Sequence, residues 1–118
     1  MDLIEYLHIA LPKIGEGLSI TLQISGVCLL IGFLIGFPVA LVRVYGPRWL
    51  SWIVTAYIEI FRGTPVLVQL FLIYYGLPQF GITLSAFTSA YLAIGLNSGA
   101  YQAEYFRGAI QAISSGQM

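Results

Sequence analysis

The sequence predicts an all-α integral membrane protein with three transmembrane helices, and three observations carry that expectation. Only 8% of the 118 residues are charged against 58% hydrophobic, with a mean hydropathy of +0.87, whereas soluble domains carry about 25% charged residues. The stretch 17–42 is uncharged and exceeds the roughly 20 residues a helix needs to cross a ~30 Å hydrocarbon core. Two later segments are also apolar enough in sequence to cross, and the few charges sit at or inside their ends. A charge in such a place costs about 2.5–3.5 kcal/mol on insertion scales and persists only when paired or wetted.

Taken in order, Leu3, Leu7, Leu11 and Ile14 recur at helical spacing in 1–16, opposite Asp2, Glu5, Lys13 and Glu16, with an interruption expected at Pro12. That pattern fits either a short amphipathic helix on the membrane surface or a frayed polar terminus. The start is acidic and the apolar run behind it is long and lacks a small-residue cleavage site, which predicts an uncleaved signal anchor. The first transmembrane helix is expected over 18–42. Gly32, Gly36 and Ala40 repeat along it every four residues, a smooth face for close helix packing, and Pro38 is placed to bend its cytoplasmic third.

Arg43 and Arg48 flank a Gly46-Pro47 turn with no acid to offset them. By the positive-inside rule this loop is cytoplasmic and the N-terminus external, with Trp49 and Trp52 at the inner interface. The second helix is expected over 49–77, kinked near Pro65, which puts Glu59 near the midplane. The alternative is an interfacial elbow over 49–60 followed by a helix from about 63, with Glu59 and Arg62 at the cytoplasmic surface. Residues 76–81, GLPQFG, make a short outer loop. A third helix over 84–107 is less greasy, holding Ser85, Thr88, Ser89, Asn97, Ser98 and Gln102. Gly95 and Gly99 form its packing face. Asn97, Tyr101 and Glu104 fall roughly opposite, as a polar stripe that either lines a cavity or hydrogen-bonds a neighbouring helix. Residues 108–118 make a polar tail, cytoplasmic in this orientation.

The chemistry concentrates in 57–78, YIEIFRGTPVLVQLFLIYYGLP. Glu59 and Arg62 share one helix face and either neutralise each other within a turn or meet a zwitterionic ligand. Pro65 has no N–H and clashes with the carbonyl of Phe61, so beside Gly63 the helix is expected to break and free backbone acceptors at membrane depth. Broken helices next to intramembrane charge point to a translocation pathway. Gln69 shares the face of Arg62 if the helix resumes after Pro65. The pattern E-x-F-R-G occurs at 59–63 and again at 104–108, making Glu59 with Arg107 and Glu104 with Arg62 candidate cross-pairs. One cysteine, Cys28, and one histidine, His8, give no metal cluster, no intrachain disulfide and no nucleophile with a base. Glu59 and Glu104 each have their own arginine, which argues against paired catalytic acids. No basic run tracks nucleic acid.

Gly17-x-x-x-Thr21-Leu22, Glu59-x-Phe61-Arg62-Gly63-Thr64-Pro65-x-x-x-Gln69, Tyr74-x-Gly76-Leu77-Pro78 and Ala100-Tyr101-x-Ala103-Glu104-x-x-Arg107-Gly108-Ala109-Ile110-Gln111 together resemble the polar amino acid ABC transporter permeases. These are the type I importer class of histidine, glutamine and arginine permeases. The resemblance implies a non-enzymatic membrane subunit without cofactor, paired with a second permease subunit as homo- or heterodimer. Its partners would be a separate ATPase subunit and an extracytoplasmic amino acid-binding protein. The residues expected to meet the amino acid are Glu59, Arg62, Gln69, Asn97, Tyr101 and Glu104. Arg107, Gly63, Pro65, Gly95 and Gly99 are expected to serve helix pairing and backbone shape. Such permeases are about twice as long, with five transmembrane helices and a coupling loop beginning GQ-x-E-A-A, where this sequence has Gly116-Gln117-Met118. The chain is therefore expected to be the N-terminal half of a permease, unable to couple ATP hydrolysis alone. The alternative is a transport-incompetent structural or regulatory membrane subunit.

Overall fold

The structure, a computed structural model, describes residues 2–116. Helix α1 runs unbroken from Leu3 to Tyr45, about 64 Å at 1.5 Å per residue. It opens on Asp2, whose carboxylate accepts from the Glu5 N–H at 3.0 Å. The surface segment expected over 1–16 and the crossing helix expected over 18–42 are thus one helix. Pro12 and Pro38 both lie inside it; each removes one backbone hydrogen bond, and no adjacent turn former turns that loss into an end. The end comes at Gly46, whose N–H closes on Val42 O at 2.7 Å, and Pro47 cannot continue the helix.

Helix α2, Arg48–Gly63, buries Ile58 completely. Leu50, Val54, Tyr57 and Phe61 on the same side are half-buried, while Trp49, Trp52, Ile53 and Ile60 point away from the bundle. Thr64 and Pro65 are both extended. Helix α3, Val66–Phe71, follows and passes into a π turn, Leu72–Gly76, and a 3-10 turn, Leu77–Phe80. Gly81, at φ 85°, closes it in the left-handed region that glycine adopts without strain. Where the sequence predicts one helix over 49–77 with a kink, the structure has two segments bent by 103°. Two successive non-helical residues reorient the chain far more than a lone proline kink does.

Helix α4, Ala86–Gly116, starts on Ser85, whose hydroxyl caps the Thr88 N–H at 3.1 Å. It continues through most of the stretch expected as a tail; positions 117 and 118 lie outside the described residues. Among the described residues, α1 alone is both long and apolar enough to cross a membrane, and α2 with 66–80 passes only as a bent pair. α4 is long enough, but Asn97, Ser98, Gln102, Glu104 and Arg107 lower its hydropathy.

α4 is the centre of the molecule, with α1 along one side and α2 and α3 against another. α1 and α4 run parallel, since contacts climb together: Ile31 meets Gly95, Ile35 meets Gly99, and Gly36 meets Ala103. A Cβ on Gly36 would stand 2.9 Å from both Ala103 N and Gly99 O, so the two backbones touch, as small-residue faces allow. Ala93, Ala100 and Ala103 are fully buried. Phe106 adds edge-on contacts to Phe33 and Phe37 at 5.8 and 5.9 Å. The result is a thin molecule of 64 × 42 × 20 Å.

Candidate functional site

The break between α2 and α3 faces the polar side of α4. Pro65 offers no N–H to Phe61 O, and the 103° bend takes the next turn's donors away as well. Carbonyls are left open at the end of α2, and side chains fill three of those around the break. Phe61 O accepts from Gln69 Nε2 at 3.1 Å and from Asn97 Nδ2 at 3.0 Å. Thr64 O accepts from Gln69 Nε2 at 3.1 Å. Arg62 O accepts from the Tyr101 hydroxyl at 3.4 Å. The two carboxamides also meet, Asn97 Nδ2 donating to Gln69 Oε1 at 3.4 Å. Gln69 is only 7% exposed. It reaches the break because helical side chains lean toward the N-terminus of their own helix, so a residue one turn into α3 points back over the end of α2.

Arg62 turns its guanidinium over the Tyr101 ring, 5.4 Å from the centroid, a cation–π contact that orients the charge while leaving its donors open. The expected pair with Glu59 one turn back does not form. Glu59 is exposed and makes no hydrogen bond or ion pair among the described residues. It stands beside buried Ile58, on the side of α2 turned from α4. Neither expected cross-pair forms either. Glu104 instead bridges Arg107 in its own turn and Arg43 on α1, one carboxylate oxygen to each. These three side chains are 16–26% exposed, and Arg107 also donates to Gln111 at 2.7 Å. Arg43 enters because α1 reaches Tyr45, which puts this arginine in the last helical turn, beside α4, instead of in a loop.

The structure therefore brings Arg62, Gln69, Asn97 and Tyr101 into one cluster at the break, with Glu104 in an arginine-bridged layer of α4 below it and Glu59 apart. Gly95 and Gly99 lie against α1, whereas a Cβ on Gly63 would meet nothing within 4 Å. A crevice of about 220 Å³ opens inside the bend, lined by Ile60, Phe61, Thr64, Gln69, Leu72 and Ile73. Two participants had no signal in the sequence. Tyr57 donates its hydroxyl to Leu96 O at 2.5 Å, and Gln102 donates to Leu29 O at 3.1 Å and Ser98 Oγ at 3.0 Å. Both depend on which helices touch, which periodicity within one helix does not encode.

Comparison with known proteins gives consistent relatives. A family model described as "Binding-protein-dependent transport system inner membrane component" matches residues 29–118. The arginine transport system permease protein ArtQ of Bacillus subtilis is 43% identical over 108 residues, covering 91% of this chain and 49% of that protein. The nopaline transport system permease protein NocM of Agrobacterium fabrum is 42% identical, covering 91% of this chain and 48% of that protein. A putative glutamine transport system permease protein, GlnP of Rickettsia conorii, is 41% identical over 117 residues, covering 96% of this chain and 54% of that protein. A crystal structure of an amino acid ABC transporter with histidines superposes with a TM-score of 0.90 at 40% identity, covering 99% of this chain and 54% of that one. The chain spans about half the length of the curated relatives it matches.

Proposed function

The chain belongs to the binding-protein-dependent transport system inner membrane components, and from that membership we propose that it forms the translocation half of a polar amino acid permease. In this reading α1, the bent α2–α3 pair and α4 each cross the cytoplasmic membrane, with the N-terminus outside. The chain works beside a second permease subunit, takes its amino acid from an extracytoplasmic binding protein and is driven by a separate ATPase subunit. The amino acid passes the break beside Arg62, Gln69, Asn97 and Tyr101, with Glu104 in the arginine-bridged layer of α4 and Glu59 farther off on α2. Arg62 takes the carboxylate, Tyr101 shapes the approach, and Asn97 offers its Oδ1 to the ammonium. Glu59 and Glu104 add negative charge to its surroundings.

The observation that carries the reading is Arg62 itself: a guanidinium laid on an aromatic ring at the break, with no ion pair of its own among the described residues. A charge among apolar segments needs a partner or water, and a carboxylate supplies both charge and a bidentate fit. The test is a chimera in which residues 1–118 replace the matching half of the Bacillus subtilis arginine permease, assayed for uptake in vesicles with its ATPase and binding protein. Uptake is expected. Arg62→Gln at equal membrane level is expected to raise the KM about ten- to hundredfold, the worth of one charged hydrogen-bonding partner. An assembled chimera without uptake would leave the chain a structural subunit, and unchanged kinetics in Arg62→Gln would remove Arg62 from the path.

A further inference from the structure

We infer that Gln69 and Asn97 are positioning residues: a two-carboxamide clasp that holds the α2–α3 break at its bend and thereby fixes where Arg62 stands. The inference concerns the elbow itself and stands whether or not the chain carries an amino acid.

A carboxamide has two N–H donors. Both of Gln69's go to backbone carbonyls on the far side of the break, Phe61 O and Thr64 O. Both of Asn97's stay in the same knot, on Phe61 O and Gln69 Oε1. Neither residue has a hydrogen left for a ligand. Phe61 O, the carbonyl that Pro65 orphans, is the shared acceptor, so one amide on α3 and one on α4 converge on the last turn of α2. Unpaired carbonyls in an apolar setting are costly, and the bent chain keeps its geometry only while these side chains fill them. The spacing Pro65-x-x-x-Gln69 follows from this. Proline creates the vacancy, and the fourth residue after it is the first in α3 whose side chain leans back far enough to fill it. Because Asn97 sits on α4, which is fastened to α1 through Gly95 and Gly99, the clasp ties the elbow angle to the two-helix core. Tyr101, one turn after Asn97, ties Arg62 O to the same helix, so Arg62 inherits its position from this set of bonds.

The test uses this chain in lipid nanodiscs with Cys28→Ser, spin-labelled through cysteines replacing Trp49 and Leu72, both exposed. At 1.5 Å per residue the labels' backbones are about 22 Å apart across the 103° bend and about 34 Å apart along a straight helix. The wild-type pair is expected to give one narrow short distance. Gln69→Leu is expected to broaden it toward the long one, and Gln69→Glu likewise, since a carboxylate brings no hydrogens to the carbonyls. Pro65→Ala with Gln69→Leu returns a backbone donor to Phe61 O and is expected to give a single narrow long distance. A mere ligand contact would change binding and leave the distances alone, so an unshifted, folded Gln69→Leu overturns the clasp. If Gln69→Leu does not fold, the double variant decides: folded and straight supports the clasp, unfolded overturns it.

Discussion

The α1–α4 seam makes opposite predictions for two glycines of one helix. A Cβ on Gly36 would lie 2.9 Å from Ala103 N, Gln102 Cβ and Gly99 O. Two of those atoms are backbone and have no rotamer to retreat into. Ordinary carbon contacts need about 3.5–4.0 Å, so α1 and α4 must separate by more than half an ångström along a ladder that also holds Ile31, Ile35 and Gly32. Overpacking of this kind costs about 1–3 kcal/mol, against about 1 kcal/mol regained because alanine favours the helix over glycine. The net expectation for Gly36→Ala is a loss of up to about 2 kcal/mol. Gly26 has nothing within 4 Å of its Cβ position, so Gly26→Ala keeps the propensity gain alone, about 0.5–1 kcal/mol of added stability. Titrating each variant from mild detergent into SDS, followed by near-ultraviolet circular dichroism, reads both signs in one experiment. A Gly36→Ala chain as stable as Gly26→Ala would show that the backbones do not touch there.

Glu104→Gln removes the one acid from between Arg43 and Arg107 and is expected to cost about 1–2 kcal/mol, below the 3–5 of a fully buried pair because all three groups are partly exposed. A double-mutant cycle with Arg43→Gln checks it, and additive single effects would sink the bridge. In the chimera, the same variant is expected to cut uptake of a cationic amino acid at equal expression; full uptake would confine Glu104 to structure. Gly99→Ala places its Cβ 2.7 Å from the Tyr57 hydroxyl, so Tyr57→Phe, which alone costs about 0.5–1.5 kcal/mol for its bond to Leu96 O, is expected to cost less in the Gly99→Ala background. Equal costs in both backgrounds would refute that contact.

Family membership was legible in two blocks, FRGTP-x-x-x-Q and AY-x-AE-x-x-RGAIQ, because each mixes charge, small residues and carboxamides at spacings that apolar helices do not produce by chance. The Gly46-Pro47 turn was equally plain, since glycine and proline act through their own backbones and need no partner. The long α1 was not. Pro12 and the charges around it read as an interruption, yet a proline removes one bond without ending a helix unless the neighbours offer a turn. The elbow angle was hidden for a related reason. Pro65 dictates that the chain departs from a helix, but how far depends on Thr64 also being extended and on what fills the open carbonyls afterwards. Arg43 and Glu104 lie 61 positions apart, and spacing within a helix says nothing about which helix crosses which.

Polar side chains in an apolar segment invite one functional interpretation for all of them, and hydrogen counting divides the set. Gln69 and Asn97 commit all four amide hydrogens to the break and to each other, and Glu104 commits both oxygens to arginines. Arg62 and Glu59 commit neither donors nor acceptors to an ion pair among the described residues. In water that difference would mean little, because solvent satisfies whatever the protein leaves open. Within hydrocarbon an unpartnered charge is too costly to keep for packing alone. The saturated groups therefore belong to the framework of the bend, and the unsaturated ones are the candidates for ligand contact in the proposed function.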